Sequence, residues 1–394
     1  MMAMYSKIKV FKQFFQSPSS AGILLIVCVA VSLTIANTNF SQAFINLLNQ
    51  PLGFNTTKIN LEYSALTWIN DGLMAVFFLL VGLEIKREIV KGQLSTLRNA
   101  SLPVFAAIGG VAVPALIYYL LNNTNPQTSQ GWGIPMATDI AFALGILSLL
   151  GNKVPWGLRI FLAALAIVDD LIAILIIAVF YSSELHFDYL AIAFILFVVL
   201  LVLNKLKISN LLFYLVPGLL MWYCIHHSGI HATIAGVLTA FAIPLTIIGK
   251  NSPLEKLEHA LTNPVNFFIM PLFAIANTNI TFNAGMIQEL SSTLSLGIIL
   301  GLILGKPLGI FIMSWFSVKA KISNLPNNTT WVHIAGLGLL GGIGFTMSIF
   351  IAMLSFNDLA HQTEAKFAIL CASIFSGIAG FATLYIYAKR NNKL

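Results

Sequence analysis

The chain has 394 residues, of which 58% are hydrophobic and 9% charged, and its mean hydropathy is +0.88. Soluble chains carry about 25% charged residues, so these values exclude an ordinary soluble domain and describe an integral membrane protein. A net charge of +7 could suit nucleic acid, but its confinement to short loops between apolar runs excludes that partner. Cys28, Cys224 and Cys371 lie far apart within apolar runs, so neither a zinc site nor a disulfide framework is indicated.

In chain order, residues 1–20 hold Lys7, Lys9 and Lys12 without a small-residue cleavage site. They read as a retained cytoplasmic lead, not a signal peptide. Apolar runs bounded by turn residues then give twelve candidate spans. They fall near 21–37, 66–84, 102–121, 131–150, 159–181, 189–204, 210–225, 229–248, 264–280, 291–317, 331–354 and 366–388. In the connection at 45–65, Thr57, Ile59, Leu61 and Tyr63 alternate with Lys58, Asn60 and Glu62, after Pro51 and Gly53. That period-two pattern predicts a small β-hairpin on one face of an otherwise all-α membrane protein. The other connections are short, so 1–394 reads as one membrane domain.

Lysine and arginine fix the expected orientation. All but three of the 21 basic residues lie at the termini or in alternate loops, among them Lys86, Arg87, Lys91, Arg98, Lys153, Arg159, Lys250 and Lys393. The opposite loops hold Lys58 and Lys366, with Glu62, Glu184, Asp188, Glu289, Asp358 and Glu364. The positive-inside rule then places both termini in the cytoplasm and makes the number of spans even.

Two spans look interrupted. The fourth reads Gly131-Trp132-Gly133-Ile134-Pro135-Met136-Ala137-Thr138-Asp139-Ile140, and the eleventh contains Gly341-Gly342-Ile343-Gly344-Phe345-Thr346-Met347-Ser348. Glycine clusters alone suit close helix packing. However, spans 3–5 and 10–12 match in order, and an odd number of spans separates corresponding members, so the two triplets run in opposite senses. Broken helices in inverted repeats expose backbone dipoles at mid-membrane, where an ion can be held.

The fifth span carries Asp169 and Asp170 at the middle of a run long enough to cross a bilayer at ~1.5 Å per residue. One charge at that depth costs roughly 3 kcal/mol on insertion scales, so a structural role alone is a weak explanation for two. Lys306, in Gly305-Lys306-Pro307, is the remaining basic residue. It lies far from either end of the tenth span, which points to a buried carboxylate partner. Two carboxylates ~5 Å apart at an effective dielectric near 20 repel by about 3 kcal/mol. Carboxylate and hydroxyl oxygens suit hard cations such as Na⁺ or Li⁺. Protons and a cation would compete for these oxygens, and a site opened alternately to each side would exchange them.

Five motifs carry a resemblance over nearly the whole chain: Asn70-Asp71-Gly72-Leu73-Met74-Ala75-Val76-Phe77-Phe78, Ala137-Thr138-Asp139-Ile140-Ala141, Val168-Asp169-Asp170, Gly305-Lys306-Pro307 and Gly344-Phe345-Thr346-Met347-Ser348. Together they resemble the NhaA sodium/proton antiporters. That family is itself an established example of inverted repeats, so resemblance and repeat are not independent. The resemblance implies a single transporter domain with about 12 transmembrane helices. Core repeats would lie at 102–181 and 291–388, broken helices four and eleven would cross at Gly342 and Gly344, and the hairpin would be periplasmic. It implies a homodimer in the bacterial inner membrane, serving pH homeostasis and salt tolerance with no cofactor beyond the transported Na⁺ or Li⁺ and H⁺. Two protons would enter per cation leaving. Asp170 is then the main cation and proton carrier, with Asp169 beside it and Thr138 near the cation route. Lys306 pairs with Asp169, and Asp139 and Lys306 offset opposed helix-dipole ends. Alkaline activation is expected at Glu84, Glu88, Glu258 and His259, although Thr262 stands where the family often has a further histidine. His231 also matches a family histidine, with a polar packing role equally open.

Other classes fit less well. A cation channel would need a repeated filter sequence, and an intramembrane aspartyl protease needs aspartates on separate helices. An organic-anion symporter would not need Asp169, Asp170 and Lys306 together.

Overall fold

The computed structural model describes residues 18–56, 60–182, 185–245, 252–283 and 285–391. Most of the expected lead (1–17), Thr57, Lys58, Ile59, Glu184, Lys250 and Lys393 lie outside the described residues. In hydrocarbon the backbone must satisfy its own polar groups, and the apolar runs accordingly form helices. In order these are α1 (Pro18–Ala36), α2 (Ser41–Leu48), α3 (Ala65–Val90), α4 (Leu97–Asn122), α5 (Ile140–Leu149), α6 (Trp156–Phe180), α7 (Phe187–Lys205) and α8 (Leu212–His227). There follow α9 (Ile234–Ala242), α10 (Pro253–Asn277), α11 (Met286–Glu289), α12 (Thr293–Lys319), α13 (Trp331–Gly341), α14 (Phe345–Ser355) and α15 (Leu359–Arg390). The expected hairpin is a two-stranded antiparallel pair, β1 (Pro51–Leu52) with β2 (Tyr63–Ser64), in which Pro51 faces Ser64 and Leu52 faces Tyr63.

Among the described residues, eight helices are long and apolar enough to cross a membrane, and ten spans result if each bent pair counts as one. The bent pairs are α1 with α2, at 112°, and α13 with α14, at 45°. The sequence suggested twelve. Its seventh run is α8, apolar but 16 residues long, and its eighth is α9, with nine. Helix α9 ends where it does because Ile243 precedes Pro244, whose ring disfavours a helical Ile243; that residue is extended, at φ −68° and ψ 131°. Exposed apolar side chains such as Phe194, Ile195, Val198 and Leu201 on α7 are costly in water and ordinary against lipid. The protein is a multi-pass membrane protein.

The chain divides into two compact units. The first comprises Met1–Ala30, Thr96–Ala173 and Phe282–Leu394; the second comprises Val31–Ser95 and Ile174–Thr281. In the first unit α4 packs along α12 at backbone distance, since a Cβ on Gly109 would lie 2.1 Å from the Gly309 carbonyl oxygen. Without a hydrophobic driving force between helices in lipid, such close approach supplies the association energy. In the second unit α3 packs against α9 and α10, around a core including Leu83, Tyr214, Met221, Ala240 and Ile243.

Candidate functional site

The first unit gathers Thr138, Asp139, Asp169, Asp170, Lys306, Gly342 and Gly344. All five polar members are buried, none more than 3% exposed. The fourth span is interrupted as its sequence suggested. A 3-10 segment, Ser129–Met136, gives way to extended backbone at Ala137 and Asp139 before α5 begins. The eleventh breaks between α13 and α14 at Gly342, Ile343 and Gly344. A side chain has no room there: a Cβ on Gly342 would lie 2.4 Å from the Leu302 carbonyl, and one on Gly344 2.1 Å from Ser348 Oγ.

The two interruptions are stitched together. Asp139 N donates to the Ile343 carbonyl at 2.7 Å, Thr138 Oγ1 lies 2.9 Å from the Gly341 carbonyl, and Ser348 Oγ donates to Ile134 O at 2.7 Å. Asp139 serves two helix starts with one carboxylate. Its Oδ1 accepts from Phe142 N at 3.1 Å, capping α5, and its Oδ2 accepts from Thr346 N at 3.1 Å and from the Thr346 hydroxyl, at the start of α14. An acceptor there satisfies N–H groups that the first turns of both helices leave without a helical partner.

Lys306 enters from α12. That helix widens into a π turn over Gly301–Gly305 just ahead of Lys306-Pro307. Pro307 lacks an N–H and its ring presses on the carbonyl four residues back, and the wide turn accommodates both effects. The same device recurs in α10, where the π turn Val265–Ile269 precedes Pro271. Lys306 Nζ donates to Asp169 Oδ2 at 2.7 Å and to the Met136 carbonyl. Asp169 Oδ2 also lies 2.9 Å from Thr138 Oγ1, while Asp169 Oδ1 is buried with no hydrogen-bond partner among the described residues. The cluster thus holds one cation and three carboxylates. One oxygen of the Asp169 carboxylate is engaged and the other has no hydrogen-bond partner among the described residues.

The second unit brings together Glu84, Glu88 and Glu258 around Arg87, which the sequence places among the basic loop residues. Arg87 Nε lies 3.0 Å from both Glu258 oxygens, and Arg87 donates to Glu88 Oε1 at 2.6 Å. Glu84 is within electrostatic reach of Glu258, Arg87 and Glu88. His259 is exposed beside buried Glu258. Thr262 bonds back to the Glu258 carbonyl at 2.8 Å. Lys86, from the same set of basic residues, donates to the carbonyls of Phe241 and Ile243 at 2.7 and 2.5 Å and so closes the end of α9. The one available signal for Arg87 was a cation between two glutamates at i−3 and i+1. For Thr346 and Ser348 it was a pair of hydroxyls directly after a glycine-rich break.

Ion-suited oxygens gathered at two interrupted membrane helices, with a buried lysine among them, define an ion-carrying membrane transporter. The model of the Na⁺/H⁺ antiporter 1 family matches residues 12–384. The chain is 65% identical over 392 residues to the Na⁺/H⁺ antiporter NhaA 2 of Flavobacterium johnsoniae, covering 100% of this chain and 96% of that one. It is 52% identical to NhaA of Flavobacterium psychrophilum, with 96% of each covered, and 48% identical to NhaA 1 of Clostridium beijerinckii, with 97% and 96% covered. The chain belongs to the Na⁺/H⁺ antiporter 1 family.

Proposed function

We propose that this protein exchanges cytoplasmic Na⁺ or Li⁺ for external protons, which compete for the carboxylates of Asp169 and Asp170. The observation that carries this reading is the half-engaged Asp169. Its Oδ2 is held by Lys306 at 2.7 Å and its Oδ1 is open, in a buried site next to Asp170. A cation on the aspartate pair weakens the need for Lys306 as counter-charge, so one proton leaves from Asp170 and a second from the Lys306–Asp169 pair. Two protons inward per Na⁺ outward moves one net charge, and ~100 mV then contributes about 2.3 kcal/mol per cycle. Thr138 lies on the cation route, and Asp139 and Lys306 offset the dipole ends at the breaks, where Gly342 and Gly344 give the backbone room.

In the same reading the passes number twelve, with α8 and α9 among them, and 102–181 and 291–388 are inverted repeats, an architecture of which the NhaA antiporters are themselves a type example. The cycle is alternating access, in the inner membrane of a bacterium, with both termini cytoplasmic. The protein works as a homodimer joined partly through the hairpin. Alkaline activation acts through Glu84, Glu88, Glu258 and His259. The test is purified protein in liposomes with a pH dye inside and Na⁺, Li⁺ or K⁺ added at controlled potential. Proton flux with Na⁺ and Li⁺ but not K⁺ is expected; cation flux without proton movement would mean a channel.

A further inference from the structure

Thr138 stands between two acceptors with one hydrogen to give. Its Oγ1 is 2.9 Å from Asp169 Oδ2 and 2.9 Å from the Gly341 carbonyl oxygen. A hydroxyl has a single donor and two lone pairs, so it can satisfy only one of these at a time when Asp169 is a bare carboxylate. Gly341 is the last residue of α13, where carbonyls have no helical donor. The carbonyls just before it are served locally: Gly342 N donates to Gly338 and Leu339, and Ile343 N donates to Leu340. The Gly341 carbonyl is reached across the breaks by Thr138 Oγ1.

We infer that the Thr138 hydroxyl is a positioning switch, turning its hydrogen from Asp169 to the Gly341 carbonyl when a cation occupies the aspartate pair. This deepens the antiport reading and rests on it. Without the cation, Asp169 Oδ2 is a charged acceptor already held by Lys306, and a charge-assisted hydrogen bond from Thr138 outcompetes one to a neutral carbonyl. With a cation at the open Asp169 Oδ1 side, the hydroxyl can add its oxygen to the cation only by presenting a lone pair and aiming its hydrogen away. The acceptor already in reach is the Gly341 carbonyl, so no heavy atom has to move. Cation occupancy at α6 is thereby written into the hydrogen bonding of the α13–α14 break. The buried threonine at the start of this motif gains a role beyond lining the cation route.

The experiment compares wild type, Thr138→Ser and Thr138→Val by Na⁺-dependent proton release and by hydrogen–deuterium exchange of residues 341–346, with and without NaCl. In wild type, Na⁺ should slow exchange at 341–346. Thr138→Val should lose that slowing and raise the Na⁺ concentration for half-maximal exchange about tenfold, the factor of one lost hydrogen bond. Thr138→Ser should restore both. Slowing that persists in Thr138→Val overturns the switch. Wild-type protein that releases protons on Na⁺ addition but shows no slowing also overturns it, even if the valine variant cannot be folded, and leaves the antiport reading standing. Wild-type protein that releases no protons overturns the antiport reading itself, and the switch with it.

Discussion

Each unit of the molecule holds a charge cluster, and the two are built on opposite terms. In the first, Lys306 and Asp169 pair at 2.7 Å with both side chains 0% exposed. Their neighbours are hydroxyls and carbonyls freed by helix breaks. In the second, Arg87 bridges Glu88 and Glu258 with its side chain 35% exposed, and Lys91 meets Glu255 at 3.0 Å with 44% and 38% exposed. Water reaches the cations of the second cluster, Arg87 and Lys91, and does not reach Lys306 in the first. An ion pair therefore carries a different energy in each cluster, and in the first no solvent replaces a missing charge.

That contrast can be broken at several points. The largest effect is expected for Asp170→Asn, which keeps the shape of the site but removes a charge. Na⁺-dependent proton release from the purified variant should vanish while its melting profile stays cooperative, and undiminished release would remove Asp170 from the site. Next, Lys306→Ala leaves Asp169 buried without its partner, a loss of roughly 3–5 kcal/mol for a fully buried pair, reduced to the extent that Asp169 takes up a proton. Thermal unfolding from pH 6 to 9 measures this, and an unchanged melting temperature would argue against the pairing.

A smaller loss is expected for Arg87→Gln, because the Arg87 side chain is 35% exposed and its pairs are partly screened by water. About 1 kcal/mol of stability should go, while the pH at which exchange switches on should move; an unmoved pH profile would separate this cluster from activation. The smallest effect belongs to Lys91→Gln. An exposed pair is worth 0.2–1 kcal/mol at most, and less in high salt, so exchange and melting temperature should both match wild type.

Much of this arrangement was legible in the chain. Asp169, Asp170 and Lys306 stood out because charge in a long apolar run has few structural excuses, and the breaks stood out because glycine and proline interrupt helices locally. What was not legible depends on distant residues. Nothing near Asp139 in sequence announces Thr346 as its donor, since the two are joined only when the breaks meet. Arg87 reads as one more basic loop residue until α10 brings Glu258 against it. The short α9 was hidden for another reason: hydropathy continues past Ile243, whereas the helix stops at the residue before Pro244.

The exchange ratio sharpens the comparison further, because two protons per Na⁺ require Asp169 to leave Lys306 during the cycle. A pair permanently fixed at 2.7 Å allows only one. The measurement is the reversal potential of proteoliposomes held at fixed Na⁺ and pH gradients. Two-for-one exchange at the aspartate pair predicts a reversal point that shifts with membrane voltage, by the one net charge carried per cycle. Flux that reverses wherever the Na⁺ and proton ratios are equal, whatever the voltage, would contradict it.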